Sequence, residues 1–229
     1  MSSASPGPDR YLVPAGPSAG EFRDRSSKFL AALTPVRSAE AALAAVAEQR
    51  ARLPKCNHHG YAYRLGEGTD LWRANDDGEP SGTAGKPILG QIDKAGLSDI
   101  VVVVSRYYGG TKLGTSGLIN AYREAAARAI AEVAVTEHVI SRVIRLRFEY
   151  PLMSAVMGAL SSLGLELADS DFGVTAEVKL LLPRSGVPET LRHIKAAVAR
   201  VYPGEVDDDF VVPGLDIYLG ADGNDTVAR

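Results

Sequence analysis

Three carboxylates, two hydroxyls, three glycines and a lysine fall within thirteen residues, NDDGEPSGTAGKP, from Asn75 to Pro87. Asp76, Asp77 and Glu79 are the residue types of a metal cage or an acid/base pair. Adjacent carboxylates reach one point only where the backbone turns sharply. Asp77–Gly78 supplies such a turn, and Pro80 drives Glu79 toward an extended conformation. The competing reading is structural: Asp side chains in turns bond their own loop, and structural networks perturb carboxylates as readily as catalytic ones do. No His or Cys cluster accompanies them, so no metal site is expected. Gly82-Thr83-Ala84-Gly85-Lys86-Pro87 approaches a phosphate-binding loop but fails it, with Pro80 at the first glycine position and Pro87 at the Ser/Thr position. Ser81 or Thr83 is expected to cap the next helix.

A second stretch, VVVVSRYYGGTKLGTSGLINAY from Val101 to Tyr122, has a different chemistry. A β-branched run feeds a glycine-rich turn that opens a helix, an arrangement that presents free N–H groups and partial positive charge to an anion. Arg106 and Lys112 flank the turn and supply charge for phosphate contacts. Candidate anion contacts are therefore Arg106, Gly109, Gly110, Thr111, Lys112, Gly114 and Thr115, with Lys86 from the first loop. Arg64 and Arg73 extend the patch if their loops converge. The alternative has Arg106 paired with Asp76, Asp77 or Glu79. His58 and His59 are neighbours, so on a strand they face opposite ways and do not chelate together. No catalytic residue and no cofactor is assigned.

The elements that must position these loops follow from periodicity. Strands are expected at Lys28–Leu33, Tyr61–Leu65, Leu71–Ala74 and Ile100–Val104, the last buried on both faces. Ser38 caps a helix whose stripe is Leu43, Val46 and Leu53, closed by Pro54. Ile88, Leu89, Ile92 and Ala95 mark a short helix ended by Gly96. A longer one runs from about Thr115 to Val133, with Leu118, Ala121, Tyr122, Ala125 and Ala129 facing inward. Beyond a boundary near Thr136–Val139 the order reads βαββαβ: Ile144–Phe148, Leu152–Leu163, Leu165–Phe172, Val174–Leu182, a helix from Pro188 to Val201, and a last strand over Val206–Val212. This predicts a tail at 1–20, a domain at 21–136, a second domain at 137–213 and a tail at 214–229.

The 229 residues carry a net charge of -3, with 45% hydrophobic and 7% aromatic residues. Such a chain has material for a real core, and it lacks the overall basic charge of a nucleic-acid binder. The charge is uneven. Residues 1–136 hold 16 basic and 14 acidic side chains, residues 137–229 hold 9 and 14, so any basic surface is local to the first half. One cysteine, Cys56, precludes an internal disulfide, and the N-terminus lacks the apolar stretch of a signal peptide. A cytoplasmic location is expected.

DDGEPSGTAG followed by SRYYGGTKLGTSGL resembles the Impact/YigZ family, and SSKFLAAL and HHGYAYR are similar to it as well. The motif residues are Asp76, Asp77, Gly78, Glu79, Pro80, Ser81, Gly82, Thr83, Ala84 and Gly85, then Arg106, Tyr107, Tyr108, Gly109 and Gly110. Tyr108 stands where that family usually has Phe, and Asn57-His58-His59-Gly60 departs from its usual pattern. The resemblance implies an α+β chain. Its Impact N-terminal domain has the fold of the second domain of small-subunit ribosomal protein five, and its ferredoxin-like C-terminal domain resembles one of elongation factor G. It also implies a non-catalytic regulator linked to translation, contacting RNA, the ribosome or a translation-associated protein. Eukaryotic members regulate translation by binding the activator of a kinase that acts on an initiation factor. Two alternatives stand beside it. One is a nucleotide-dependent enzyme, because Leu113–Ala121 faintly resembles the loop of galactokinase-like kinases. The other is a protein-interaction module without nucleic-acid contact.

Overall fold

The computed structural model describes residues 9–67, 71–207 and 209–223. These divide into two compact units, residues 11–138 and residues 139–223 with 9–10. Both are mixed α+β and built on antiparallel sheets.

In the first unit, β1 (Arg10–Pro14) and β7 (Val135–Val139) pair as a two-stranded sheet. The main sheet has the order β2 (Ser18–Asp24), β3 (Ser27–Pro35), β6 (Ile100–Tyr107), β4 (His58–Arg64), β5 (Trp72–Asn75). Strand β6 is central and β-branched, and every residue from Ile100 to Arg106 is buried, as a strand covered on both faces must be. On one face lie α2 (Gly85–Ala95) and α3 (Gly114–Ala131), whose Ile88, Ile92, Leu118 and Tyr122 pack on Phe29, Leu33, Ala62 and Val102. On the other lies α1 (Ala39–Arg52), packing Ala42 and Val46 on Tyr61, Tyr63, Val101 and Val103.

The local signals account for several ends. Ser38 accepts a hydrogen bond from the Ala41 N–H at 3.1 Å and so caps α1. Gly96 ends α2 with φ of 65°, the left-handed conformation that costs glycine nothing. The expected α1 stripe is corrected, however. Leu43 is exposed, and the buried positions are Ala42, Val46 and Gln49. An alanine-rich helix packs on a sheet through its smallest side chains, where periodicity of large ones gives no guide.

In the second unit the order is β8 (Ser141–Phe148), α4 (Met153–Ser162), β9 (Asp169–Phe172), β10 (Ala176–Pro183), α5 (Val187–Ala199), β11 (Leu215–Gly223). The sheet order is β11-β8-β10-β9, and both helices bury Val156, Leu160, Ile194 and Val198 against Ile144, Leu146, Val178 and Leu180. The last strand is not at 206–212. Residues 206–207 and 209–214 lie outside any helix or strand, burying Val206 and Val212, and Leu215–Gly223 pairs with β8 instead. An edge of β8 open to pairing decides this over the weak pattern of LDIYLGADG.

The tails expected at 1–20 and 214–229 fall partly outside the described residues. Within them, residues 10–14, 18–24 and 215–223 are strands. Among the described residues no helix is long and apolar enough to cross a membrane, and no three His, Cys, Asp or Glu side chains are placed to hold a metal.

Candidate functional site

The loop from Asn75 leaves β5 and enters α2, and its three carboxylates are engaged by the protein itself. Asp77 and Gly78 both have positive φ, 47° and 83°, which turns the chain back on itself. That turn aims Asp76 at the start of α2. Its Oδ1 accepts the N–H groups of Ala84 and Gly85, both at 2.9 Å, and its Oδ2 accepts that of Gly82 at 2.8 Å. Asp76 therefore caps α2 from eight residues upstream. The expected hydroxyl caps are corrected: Thr83 Oγ1 donates to the Pro80 carbonyl at 2.7 Å, Ser81 is exposed, and Ala84 at the cap position has no side-chain bond to give.

Asp77 ties the loop to the sheet and to α1. It accepts from Arg50 Nη2 at 2.7 Å and from the His59 backbone N–H at 2.7 Å, while the His58 ring bonds its carbonyl at 2.8 Å. Burial by itself would raise both aspartates. For Asp76 it is outweighed by the three N–H groups and by Lys86, and for Asp77 by Arg50 and the His59 N–H. Both carboxyls are held below the usual carboxylate range. A group with a depressed folded pKa stabilises the native state above its unfolded pKa and loses that contribution as pH falls through the folded value. The stability of the first unit is therefore expected to hold down to about pH 5 and to fall steeply below about pH 4. Urea unfolding followed at pH 6, 4 and 3 checks this, and Asp77→Asn should flatten the slope.

Glu79 is the meeting point of the two motifs. Its Oε1 accepts from Arg106 Nη1 at 2.8 Å and from the Tyr122 hydroxyl at 2.9 Å. Both partners of the ion pair are inside, the Glu79 side chain 3% exposed and that of Arg106 7%. Burial raises the Tyr122 hydroxyl far above its ordinary range, with the nearby Glu79 charge adding to it, so the group remains a donor. The guanidinium of Arg106 also lies over the rings of Phe29 and Tyr108, and its Nε–H finds no acceptor among the described residues. Arg106 is thus corrected from an anion contact to a buried structural cation. Its position on β6 turns it into the core, where Glu79 neutralises it. Arg64 is likewise tied down, donating to Asp93 on α2.

The second motif leaves β6 through Tyr107, half-buried beside the buried Cys56. Burial pushes the Cys56 thiol up. Gly109 is obligatory, because a Cβ there would sit 2.1 Å from the backbone carbon of Ser26, and its N–H donates to Ser27 Oγ at 3.2 Å. Gly110 and Gly114 have φ of 85° and 71°. Gly110, Thr111, Lys112, Gly114 and Thr115 are exposed, as is Lys86 on α2. Helix α3 begins after Leu113, whose side chain cannot cap it, and among the described residues no side chain accepts from its first N–H groups. The two helix starts differ: α2 is sealed by Asp76, and α3 is open.

The structure therefore brings the motifs together through Glu79, Arg106 and Tyr122, and leaves Lys112 and the α3 start outside. Sequence reasoning missed Arg50, Ser27 and Tyr122 as partners. Tyr122 carried a signal only as one member of an apolar stripe, and the pairing of Arg50 with Asp77 spans 27 residues.

Residues 25–130 match the model of the Impact N-terminal domain. The chain is 33% identical over 183 residues to the IMPACT family member YigZ of Escherichia coli (strain K12), covering 79% of this chain and 90% of that protein. It is 39% identical over 160 residues to an IMPACT family member of Thermus thermophilus, covering 70% and 86%. A crystal structure of a hypothetical protein superposes with a TM-score of 0.62 at 30% identity, covering 91% of this chain and 96% of that one. On these matches and on the two motifs that meet at Glu79, the chain belongs to the IMPACT family.

Proposed function

We propose that the protein is a non-catalytic binding protein linked to translation, and that it contacts RNA through the loop from Gly109 to Thr115. The observation that carries this reading is the difference between the two helix starts. The carboxylates of the first motif are all occupied by backbone N–H groups, Arg50, Arg106 or Tyr122, which leaves none poised as a base. The α3 start has exposed Gly110, Thr111, Lys112 and Thr115 and no side-chain cap, and suits a phosphate. Lys86 at the neighbouring helix start adds a second exposed cation.

Family membership supports the translational link. So does the form of the second unit, whose βαββαβ order and β11-β8-β10-β9 sheet fit a ferredoxin-like domain of the elongation factor G kind. The first unit is read as a relative of the second domain of small-subunit ribosomal protein five.

Binding of a labelled RNA to the wild type and to Lys86→Ala/Lys112→Ala, measured across a salt series, tests this. Each lysine that contacts a phosphate contributes about 0.7–0.9 to the slope of log affinity against log salt. The double variant is expected to bind more weakly and with a slope reduced by about 1.4–1.8. An unchanged slope would remove these lysines from the interface. Titration with ATP and magnesium discriminates the kinase-like alternative, for which binding heat is required.

A further inference from the structure

Tyr108 is 48% exposed, at the start of a loop that continues through Gly109, Gly110, Thr111, Lys112 and Leu113 to α3. An aromatic ring half in water on a glycine loop is ordinarily free to swing. This one is held. The Arg106 guanidinium carbon lies 5.4 Å from the Tyr108 ring centroid and 5.5 Å from that of Phe29. Phe29 is fully buried and packs edge-on to Tyr122, and Arg106 is fixed by Glu79. The layers run from core to surface: Phe29, the guanidinium, then Tyr108. Glu79 of the first motif thus positions Arg106 of the second, and Arg106 supports the exposed ring. Gly109 donates its N–H to Ser27 Oγ at 3.2 Å and lies too close to Ser26 for any side chain, so the loop beside the ring is held against the β2–β3 turn.

Resting on the RNA-binding reading above, we propose that Tyr108 is a stacking platform for an unpaired base, and that the loop takes single-stranded rather than duplex RNA. A pre-positioned ring loses little freedom when a base covers it, and a cation beneath the ring strengthens the stack. Lys112 lies four residues further along, within about 14 Å of chain, where it meets the phosphates flanking the stacked base. Bases of a duplex are covered by their neighbours and offer no face to the ring, whereas single strands do.

The test is fluorescence anisotropy with a labelled single-stranded RNA of mixed sequence and with the same strand annealed to its complement. The wild type is expected to favour the single strand. Tyr108→Phe keeps that affinity. Tyr108→Ala, and Tyr108→Leu, which still covers Arg106 with an apolar group, lose roughly five- to a hundredfold on the single strand and leave duplex binding unchanged. Single-strand affinity retained in Tyr108→Leu overturns the platform. So does equal binding of duplex and single strand that falls with Lys112→Ala but not with Tyr108→Leu, and that result leaves the anion-binding loop standing. A wild type that binds neither RNA overturns both.

Discussion

Glu79→Ala is expected to destabilise the first unit by about 3–5 kcal/mol, the cost of leaving a buried charge without its partner. Among the described residues Glu79 is the one carboxylate within 4.0 Å of the Arg106 guanidinium, and the same oxygen receives the Tyr122 hydroxyl. Removing it leaves two buried donors unsatisfied in addition to the Arg106 Nε–H. Glu79→Gln keeps an acceptor oxygen in place but not the charge, and its cost should be intermediate. Urea unfolding of the three proteins measures the order. Equal stability of Glu79→Ala and wild type would mean that Arg106 swings out to water on loss of its partner. Pairing Glu79→Ala with Arg106→Met should recover part of the loss, since replacing both members of a buried pair by apolar groups is often close to neutral.

Asp76→Ala is expected to cost about 2–4 kcal/mol, because hydrogen bonds to a charged group contribute about 1.5–3 kcal/mol each and do not add fully. Three N–H groups lose their acceptor at once, and two of them, on Ala84 and Gly85, belong to buried residues. No side chain nearby replaces it, since Thr83 is bonded to Pro80 and Ser81 faces out. Asp76→Asn separates the two oxygens. Its amide oxygen can keep the Ala84 and Gly85 bonds, while its NH₂ group meets the Gly82 N–H donor to donor. Hydrogen exchange at Gly82, Ala84 and Gly85 reads the result residue by residue: all three should exchange faster in the alanine variant, and chiefly Gly82 in the asparagine one.

Much of the fold was legible because it rests on local signals. The β-branched run of β6, the Ser38 cap and the left-handed Gly96 are each fixed by the residues that form them. What escaped depends on partners remote in sequence. Strands β1 and β11 have weak patterns and exist because remote strands, β7 and β8, offer them free edges. The cap of α2 is an aspartate eight and nine residues before the N–H groups it satisfies, beyond the reach of any local capping rule. The two loops could be expected to meet, but which side of the sheet Arg106 takes is decided by the register of β6 against β3 and β4. That register sends Arg106 to the side of Phe29 and Tyr122, and the candidate surface passes to Lys112 and Tyr108.

Cys56 is the single cysteine of the chain, and it sits buried beside Tyr107 at the start of the glycine loop. A thiol that is both covered and held protonated reacts with alkylating reagents only when its surroundings part. The rate at which iodoacetamide consumes it under native conditions is therefore a clock for the opening of this end of the sheet, readable by intact mass without introducing any label.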